Sequence, residues 1–221
     1  MGLASLDQFR AFCLELSSDQ PSPGGGSASA AAGAMAASLL IMVCGVTAKS
    51  KKYEGSKARM DELSRLLAKD RDELIRLAGD DARAYDLVVD AIRKRKLNPD
   101  VDAEEAFQAS LRRAAEIPLT TASLCVSVLE HAVVVAELGT KSASSDVGVA
   151  WELANAGFLG ATMNVAINIR HIEDRRFVDE ASGRLSTAEE KVSRLHYAYH
   201  ETLRALEPRP SAPKDKGITG H

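Results

Sequence analysis

Two asparagines one helical turn apart are well placed to recognise a polar ligand in this 221-residue chain. Asn164 and Asn168 share a helical face with Gly157, Gly160 and Ala161, whose small side chains leave room beside the two amides. Each amide offers a donor and an acceptor, which suits a heterocycle with adjacent N–H and C=O groups. A hydrogen bond between two helices is the other explanation, and it is the usual role of a single buried asparagine. Two asparagines in register favour a binding face.

Two aspartates occupy positions that suit either a helix cap or a site. Asp146 follows Ser144 and Ser145 in the first turn of a predicted helix, where the helix dipole stabilises its negative charge. Asp81 follows Asp80 at a second predicted helix start. The pattern alone leaves both interpretations open for each carboxylate.

Three consecutive glycines precede a long uncharged run of small side chains. Gly24, Gly25 and Gly26 lack a Cβ atom, so a ligand can meet their main-chain amides directly. Ser27 is the predicted N-cap of the following helix, and a glycine loop at a helix N-terminus can bind an anion. A tight turn that only passes close to a neighbouring helix explains the glycines equally well.

A small basic cluster lies at the far end of the same helix. Lys51 and Lys52 precede Tyr53 there. Lysines near a helix C-terminus ordinarily complement the helix dipole, but they would also suit a substrate that carries carboxylates.

The elements that must hold these residues are predicted to be helical throughout. Nearly every segment has an apolar period close to 3.6 residues, and no alternating strand is recognisable. Two helices rich in small residues, one over residues 27–48 and one from about residue 146, are expected at the centre of longer amphipathic helices. The predicted fold is all-α, a single-domain helical bundle over residues 1–206. Residues 207–221 are predicted to form a disordered tail.

Local signals predict where several helices break. Gly79 is expected to interrupt one helix, with Asp80 and Asp81 restarting the next. Pro118 is expected to break or kink another helix, because proline lacks the N–H that the helix needs. The last helix is predicted from about residue 187 to residue 206.

Composition excludes several functional classes. The chain has 28 Lys and Arg against 31 Asp and Glu, so its net charge is −3 and no extended basic face is available for nucleic acid. Residues 27–48 are long enough to span a bilayer, but alanine, serine and glycine gain little from hydrocarbon, so we predict a buried helix and no membrane. Cys13, Cys44 and Cys125 are predicted to be buried, reduced thiols of a cytoplasmic protein. The N-terminus lacks the pattern of a signal peptide.

No cofactor motif is recognisable in the sequence. His196 and His200 lie one turn apart, but Glu201 follows the second histidine and no third ligand is evident. We therefore predict neither a metal nor another cofactor.

Nine short stretches occur in a recognisable order along the chain. They lie at residues 23–27, 42–44, 47, 51–53, 81–85, 117–119, 145–150, 164–168 and 174. The most specific is Ser-Asp-Val-Gly-Val-Ala at residues 145–150. Together they resemble the cyclodeaminase/cyclohydrolase family, which comprises the C-terminal domain of formiminotransferase-cyclodeaminase and the stand-alone bacterial methenyltetrahydrofolate cyclohydrolases. The chain departs from the family pattern at Gly45, Lys49, Ser50 and Ser142.

The resemblance implies a homodimeric enzyme that acts on a tetrahydrofolate derivative. Hydrolysis of 5,10-methenyltetrahydrofolate to 10-formyltetrahydrofolate is the leading hypothesis, since the sequence contains no formiminotransferase domain. Formiminotetrahydrofolate cyclodeaminase, an ammonia-lyase, is the alternative within the family. A non-catalytic folate-binding or helical assembly protein is the alternative of another class.

The resemblance also assigns expected roles to the candidate residues. Asp81 and Asp146 are the expected catalytic carboxylates, with neither fixed as acid or base. Asn164 and Asn168 are expected to contact the pterin. The expected substrate-binding set is completed by Gly24, Gly25, Gly26, Ser27, Lys51, Lys52 and Tyr53, with the two lysines facing the glutamate tail.

Overall fold

The computed structural model describes residues 4–206, and describes side chains from residue 6 to residue 202. Six α-helices follow one another: α1 (Ala4–Leu16), α2 (Gly25–Ala48), α3 (Lys57–Leu97), α4 (Val101–Leu138), α5 (Ser144–Asn168) and α6 (Arg175–Leu206). Short 3₁₀ helices lie at Lys51–Ser56, Lys141–Ala143 and Ile169–His171. The part of the chain described contains no strand, which confirms the all-α, single-domain bundle. The predicted tail lies outside the described residues.

The two small-residue helices, α2 and α5, form the centre of the bundle. They approach so closely that a Cβ atom on Gly157 would lie 2.7 Å from the main-chain oxygen of Ser29. The same Cβ would lie 3.0 Å from Cys125 Sγ on α4. Larger side chains at these contacts would force the helices apart, so the absence of bulk in α2 and α5 determines how tightly the bundle closes.

The long helices α3 and α4 pack around this centre and α6 packs on α4. The main core combines aliphatic side chains of α2, α3 and α4 with two large aromatic side chains of α5. Its largest fully buried members include Leu40, Met60, Leu67, Leu129, Trp151 and Phe158. This core holds the ends of α2, α3 and α5 in fixed relative positions.

The prediction that Ser27 caps α2 was wrong. The helix begins at Gly25, and its N-cap is Gly24, three residues before Ser27. Glycine is an acceptable N-cap, so the helix can start inside the glycine run. Ser27 is buried and instead turns its hydroxyl toward α3, where it donates to the main-chain oxygen of Ala78 at 2.8 Å.

The predicted break at Gly79 was also wrong, because α3 continues through it. A glycine inside a helix costs only about 1 kcal/mol relative to alanine. Burial of Leu77 and Ala84 on the two sides of Gly79 offsets that cost, since both belong to one apolar cluster. Asp80 and Asp81 therefore lie in the middle of a helix and start none.

Two other helices are longer than predicted. Helix α4 is continuous across Pro118, whose neighbours Ile117 and Leu119 are buried. A helical proline costs about 3 kcal/mol, which burial of two aliphatic side chains can offset. Helix α6 begins at Arg175, well before residue 187, because Asp174 accepts a hydrogen bond from the N–H of Phe177 at 3.2 Å and caps it.

The three cysteines differ in exposure. Cys44 and Cys125 are buried as predicted, and burial raises their pKa values to about 11 and about 12. Cys13 is exposed, so that part of the prediction was wrong. It lies on α1, which packs loosely enough on the bundle to leave Phe9 half exposed.

Two helices, α2 and α4, are long and apolar enough to cross a membrane by length and composition. Half of each apolar window is buried inside the bundle. Core helices of soluble proteins pass the same test, so length and composition alone carry little weight.

Candidate functional site

A cavity of about 550 Å³ opens where four helices meet. Its walls come from the N-terminus of α2, the second half of α3, the first half of α4 and the C-terminus of α5. Six of the residues singled out in the sequence line it: Gly24, Gly25, Gly26, Asp81, Asn164 and Asn168. The antiparallel course of α2 and α5 brings the glycine loop and the asparagine pair together here.

Asp81 lies against the first turn of α2. A Cβ atom on Gly26 would overlap the Asp81 carboxylate, so only glycine allows this approach. Burial raises the pKa of Asp81, and hydrogen bonds from the hydroxyl and the main-chain N–H of Ser27 partly oppose that rise. The result is a partly buried carboxyl group that is easier to protonate than an ordinary aspartate, as proton transfer near neutral pH requires.

Ser27 can bond Asp81 in either protonation state. Its hydroxyl lies 3.1 Å from Asp81 Oδ2 and 2.8 Å from the main-chain oxygen of Ala78. When Asp81 is ionised, the hydroxyl hydrogen can point to the carboxylate. When Asp81 is protonated, the hydroxyl can donate to Ala78 and accept from Asp81. Asp81 can therefore keep its hydrogen bond to Ser27 while it gains and then loses a proton.

Each asparagine donates one hydrogen to a main-chain carbonyl. Asn164 Nδ2 donates to the oxygen of Gly160 at 2.8 Å, within α5. Asn168 Nδ2 donates to the oxygen of Ala114 at 2.7 Å, which is the helix-to-helix contact considered as an alternative. Both amide oxygens remain without a hydrogen-bond partner among the described residues, so each side chain can be fixed by the protein and still accept from a ligand.

The remaining candidates lie at the opposite end of the bundle. Helix α2 separates Gly25 from the 3₁₀ helix that carries Lys51, Lys52 and Tyr53 by roughly 36 Å. Asp146 is in the first turn of α5 as predicted, but it lies roughly 27 Å along the axis from Asn164.

We call residues 24–27, Asp81, Asn164 and Asn168 the glycine end, and residues 51–53 with Asp146 the lysine end. At the lysine end the Tyr53 hydroxyl accepts a hydrogen bond from the N–H of Lys141 at 3.3 Å, which lowers the pKa of Tyr53. Within one chain, the two expected catalytic aspartates therefore lie at opposite ends of the bundle.

Sequence reasoning missed the far wall of the cavity, where Arg95, Phe107 and His171 lie. The signal was present on α3, since Asp81, Val88, Ile92 and Arg95 continue one helical face. The helix predicted to start at Asp80 and Asp81 covers this face, but periodicity alone does not show that Arg95 at its end lines a cavity.

A larger groove of about 860 Å³ lies between α1, α2 and α3. Its lining is mainly apolar, with Phe9, Met35 and Ile75 among the contributors, and Glu15 is its one charged side chain among the described residues. Size alone does not make a site, and this groove has no convergent polar groups. The smaller cavity has them, so it is the candidate site.

The sequence profile of the formiminotransferase-cyclodeaminase family matches residues 8–187. The chain belongs to this family. A methenyltetrahydrofolate cyclohydrolase of Methylorubrum extorquens is 33% identical over 205 residues, which cover 92% of this chain and 99% of that protein. The formimidoyltransferase-cyclodeaminase of Sus scrofa is 32% identical over 180 residues, which cover 80% of this chain and 33% of that protein.

The fold agrees with a solved structure of the same family. The crystal structure of formiminotetrahydrofolate cyclodeaminase from Thermotoga maritima superposes with a TM-score of 0.81 at 28% identity, covering 88% of this chain and 94% of that one. The family resemblance read from the sequence is confirmed. The chain spans about a third of the length of the formimidoyltransferase-cyclodeaminases and nearly all of the cyclohydrolase.

Proposed function

We propose that the protein is a folate one-carbon enzyme that hydrolyses 5,10-methenyltetrahydrofolate to 10-formyltetrahydrofolate. The observation that carries the proposal is Asp81, a carboxyl group with a raised pKa at the wall of a cavity that also presents two asparagines. The relative from Methylorubrum extorquens, matched over 99% of its length, is a methenyltetrahydrofolate cyclohydrolase, which supports this reaction.

In the proposed reaction, ionised Asp81 takes a proton from water as the water oxygen attacks the methenyl carbon. The carbon becomes tetrahedral, and its positive charge is neutralised by the new C–O bond. The bond from this carbon to N5 then breaks, its electron pair stays on N5, and protonated Asp81 returns a proton to N5. The formyl group remains on N10, and loss of the hydroxyl proton to solvent balances the reaction. One carboxyl group can serve as base and then acid because its pKa is raised.

The other groups at the glycine end would orient the substrate. The amide oxygens of Asn164 and Asn168 can accept hydrogen bonds from the pterin, and the main-chain N–H groups at the start of α2 can donate to its polar atoms. Placing the reacting carbon within reach of Asp81 is the main requirement, since small misplacements reduce rates strongly.

Cyclodeamination of a formimino substrate is the second candidate, favoured by the structural match to a cyclodeaminase. The two reactions differ in product. Release of ammonia from formiminotetrahydrofolate, without loss of methenyl absorbance from methenyltetrahydrofolate, would reverse our preference. Loss of methenyl absorbance without ammonia release supports the hydrolase.

We further propose that the active form is a homodimer that joins the two ends of the bundle. Helices α2 and α5 expose large apolar side chains on their outer faces: Met35, Met42, Val46, Val149, Leu159, Met163 and Ile167. Helix α2 contains no charged residue. A second copy packed on this face about a two-fold axis perpendicular to α2 would run antiparallel to the first.

Antiparallel pairing would complete the site from two chains. It would bring Lys51 of the partner subunit and Asp146 of the partner subunit toward the glycine end of the first chain. The lysine charge would then act near the pterin, and each dimer would contain two equivalent sites. The expected catalytic role of Asp146 depends on this arrangement.

Mixing two inactive variants tests the shared site. We expect Asp81→Asn and Asp146→Asn each to lose most activity on methenyltetrahydrofolate. After dissociation and reassociation together, half of the dimers would contain one intact site, so roughly a quarter of the wild-type activity should return. No recovery in a mixture shown by native mass spectrometry to contain mixed dimers would remove Asp146 from the site. A fully active monomer would contradict the proposed homodimer. Binding of the wild type to lipid vesicles through α2 would contradict it as well.

We also propose that the reaction needs no metal or organic cofactor and takes place in the cytoplasm. Turnover should survive dialysis against a strong chelator, measured by the same absorbance assay. Activity that disappears on chelation and returns with a metal ion would contradict the cofactor-free mechanism.

A further inference from the structure

The candidate cavity is a long channel that runs beside α3. Residues that line it recur along one face of this helix from Asp81 to Arg95. Fourteen helical steps correspond to roughly 21 Å. The channel is therefore much longer than a bicyclic pterin alone requires.

The chemistry of the wall changes along this length. Asp81 and the asparagines provide hydrogen-bonding groups at one end, as described above. Val88, Ile92 and Leu111 make the middle apolar. Arg95 and His171 bring nitrogen donors to the other end. A ligand with a polar head, an aromatic middle and an acidic end would match this order.

Arg95 is held in place by two contacts, and a third residue fixes its carboxylate partner. Its guanidinium carbon lies 3.8 Å from the ring centroid of Phe107. Its Nη1 donates to the two carboxylate oxygens of Glu104 at 3.1 and 3.3 Å. Gln108 links the same carboxylate to the opposite wall, because its Nε2 lies 3.3 Å from Glu104 Oε1 and 3.4 Å from the main-chain oxygen of His171.

These contacts leave part of the guanidinium for a ligand. The bonds to Glu104 use Nη1, while Nε and Nη2 make no hydrogen bond to other described residues. Arg95 and Glu104 are partly exposed, with 37% and 40% of their side chains accessible. Such pairs are weak, so a ligand carboxylate can join or displace Glu104. The planar fork of arginine suits bidentate binding of a carboxylate.

We propose that Arg95 and His171 form the subsite for the carboxylate-bearing tail of the folate substrate. The proposal rests on the proposed function for the identity of the ligand. It replaces the expectation that Lys51 and Lys52 face the tail, because within one chain those lysines lie at the opposite end of the bundle. In the proposed dimer they would approach the reacting head.

Charge on the tail is the variable that tests this subsite. Arg95→Gln keeps a similar length and removes the charge. We expect it to raise KM for methenyltetrahydrofolate about tenfold and leave kcat unchanged, since the lost contact is a charge-assisted hydrogen bond away from the reacting carbon. With the same compound methylated on both glutamyl carboxyls, wild type and variant should have equal KM values. Arg93→Gln is the matched control, because Arg93 is exposed on the same helix and does not line the channel.

Two results would overturn the subsite. Equal KM values for wild type and Arg95→Gln on the charged substrate would show that Arg95 does not read the tail. An equal rise in KM on the charged and methylated substrates would show that the substitution only perturbs the wall. Glu104→Gln should change KM in the opposite direction. It removes a carboxylate that competes for Arg95, so KM for the charged substrate should fall.

A binding measurement separates failure of the subsite from failure of the proposed reaction. p-Aminobenzoylglutamate contains the aromatic middle and acidic tail but no reacting carbon. Titration calorimetry should show wild type binding this fragment about tenfold more tightly than Arg95→Gln, whether or not the protein turns over methenyltetrahydrofolate. Equal or undetectable binding by both proteins overturns the subsite even if catalysis is confirmed.

Discussion

The two ends of the bundle carry similar kinds of residues in different settings. At the glycine end, Asp81 is partly buried, bonded to Ser27 and directed toward a cavity. At the lysine end, Lys51 and Lys52 are exposed and lie outside that cavity. Burial raises the pKa of the carboxyl group at the first end. The glycine end therefore places a carboxyl group with a raised pKa at the wall of a cavity within one chain.

The two ends therefore differ in whether a single chain can form a binding site. The glycine end can enclose part of a ligand by itself because its walls come from four helices of the same chain. The lysine end presents charge on an open surface, where water screens it. In the proposed dimer, the partner subunit would cover this surface and so give its residues a chemical role.

Removal of the ionisable group at Asp81 should have the largest effect. Asp81→Asn keeps the shape of the side chain but cannot accept a proton, so we expect kcat on methenyltetrahydrofolate to fall about 10²- to 10⁴-fold. Because burial raises the pKa of Asp81, ionising this group costs more in the folded protein than in the unfolded chain, and that cost lowers stability above the unfolded pKa. The variant should therefore be at least as stable as wild type in thermal unfolding. Asp86→Asn, an exposed change on α3, is the control and should retain activity.

Disruption of the apolar face should have the next largest effect, and it tests whether the lysine end depends on a partner. Met163 is 64% exposed on α5, so Met163→Asp should leave the fold of one chain intact. We expect sedimentation to show a monomer and kcat to fall about a hundredfold, as Asp146 and the lysines leave the site. Leu97→Asp introduces the same charge at a residue that is 86% exposed at the end of α3. A dimeric, active Leu97→Asp variant beside a monomeric, active Met163→Asp variant would contradict the shared site.

Much of the fold was predictable because it follows from the charged and bulky side chains that the central helices lack. Helix α2 has no charge to expose and little bulk, so it had to pack at the centre against another small-residue helix. A break was expected at Gly79, and a break or a kink at Pro118, yet both helices continue through these residues for a common reason. A glycine or proline indicates how much free energy a continuous helix costs at that position. Burial of the neighbouring side chains offsets this cost, and only the tertiary structure shows which neighbours are buried.

The sequence could not predict, for a different reason, that the candidate site residues form two separate groups. Helical periodicity indicates which residues share a face, and it correctly paired Asn164 with Asn168. It does not indicate whether the N-termini of α2 and α5 lie together or apart. Their antiparallel course places Asp146 beside the C-terminus of α2, where Tyr53 contacts Lys141. A family motif collects residues by their order in the chain, and so it does not show that Asp81 and Asp146 lie at opposite ends of one chain.

Close packing at the glycine end predicts a smaller loss for a change that adds one methyl group. The Cβ atom in Gly26→Ala would overlap the Asp81 carboxylate and turn it away, so we expect kcat to fall about ten- to fiftyfold. In Gly25→Ala the new atom would lie 3.5 Å from Asn164 Nδ2, an ordinary contact, and the loss should be smaller. Gly183→Ala on α6 meets nothing within 4 Å and serves as the control for a glycine-to-alanine change. Equal activities of the first two variants would show that the carboxylate position is unimportant.

The smallest expected effect concerns the pKa of Asp81. The Ser27 hydroxyl lowers this pKa against the larger effect of burial, so Ser27→Ala should raise the pKa of Asp81 further. If ionised Asp81 is the base, the acidic limb of the profile of kcat/KM against pH moves to higher pH by the same amount. The rate falls a few-fold on that limb and is unchanged on the plateau. Ser38→Ala, which removes a hydroxyl bonded only to Ala34 on the same helix, should leave the profile in place. A shift to lower pH would contradict the assignment of this limb to Asp81, because the hydrogen bond from the Ser27 hydroxyl lowers the pKa of Asp81 and its loss should raise that pKa.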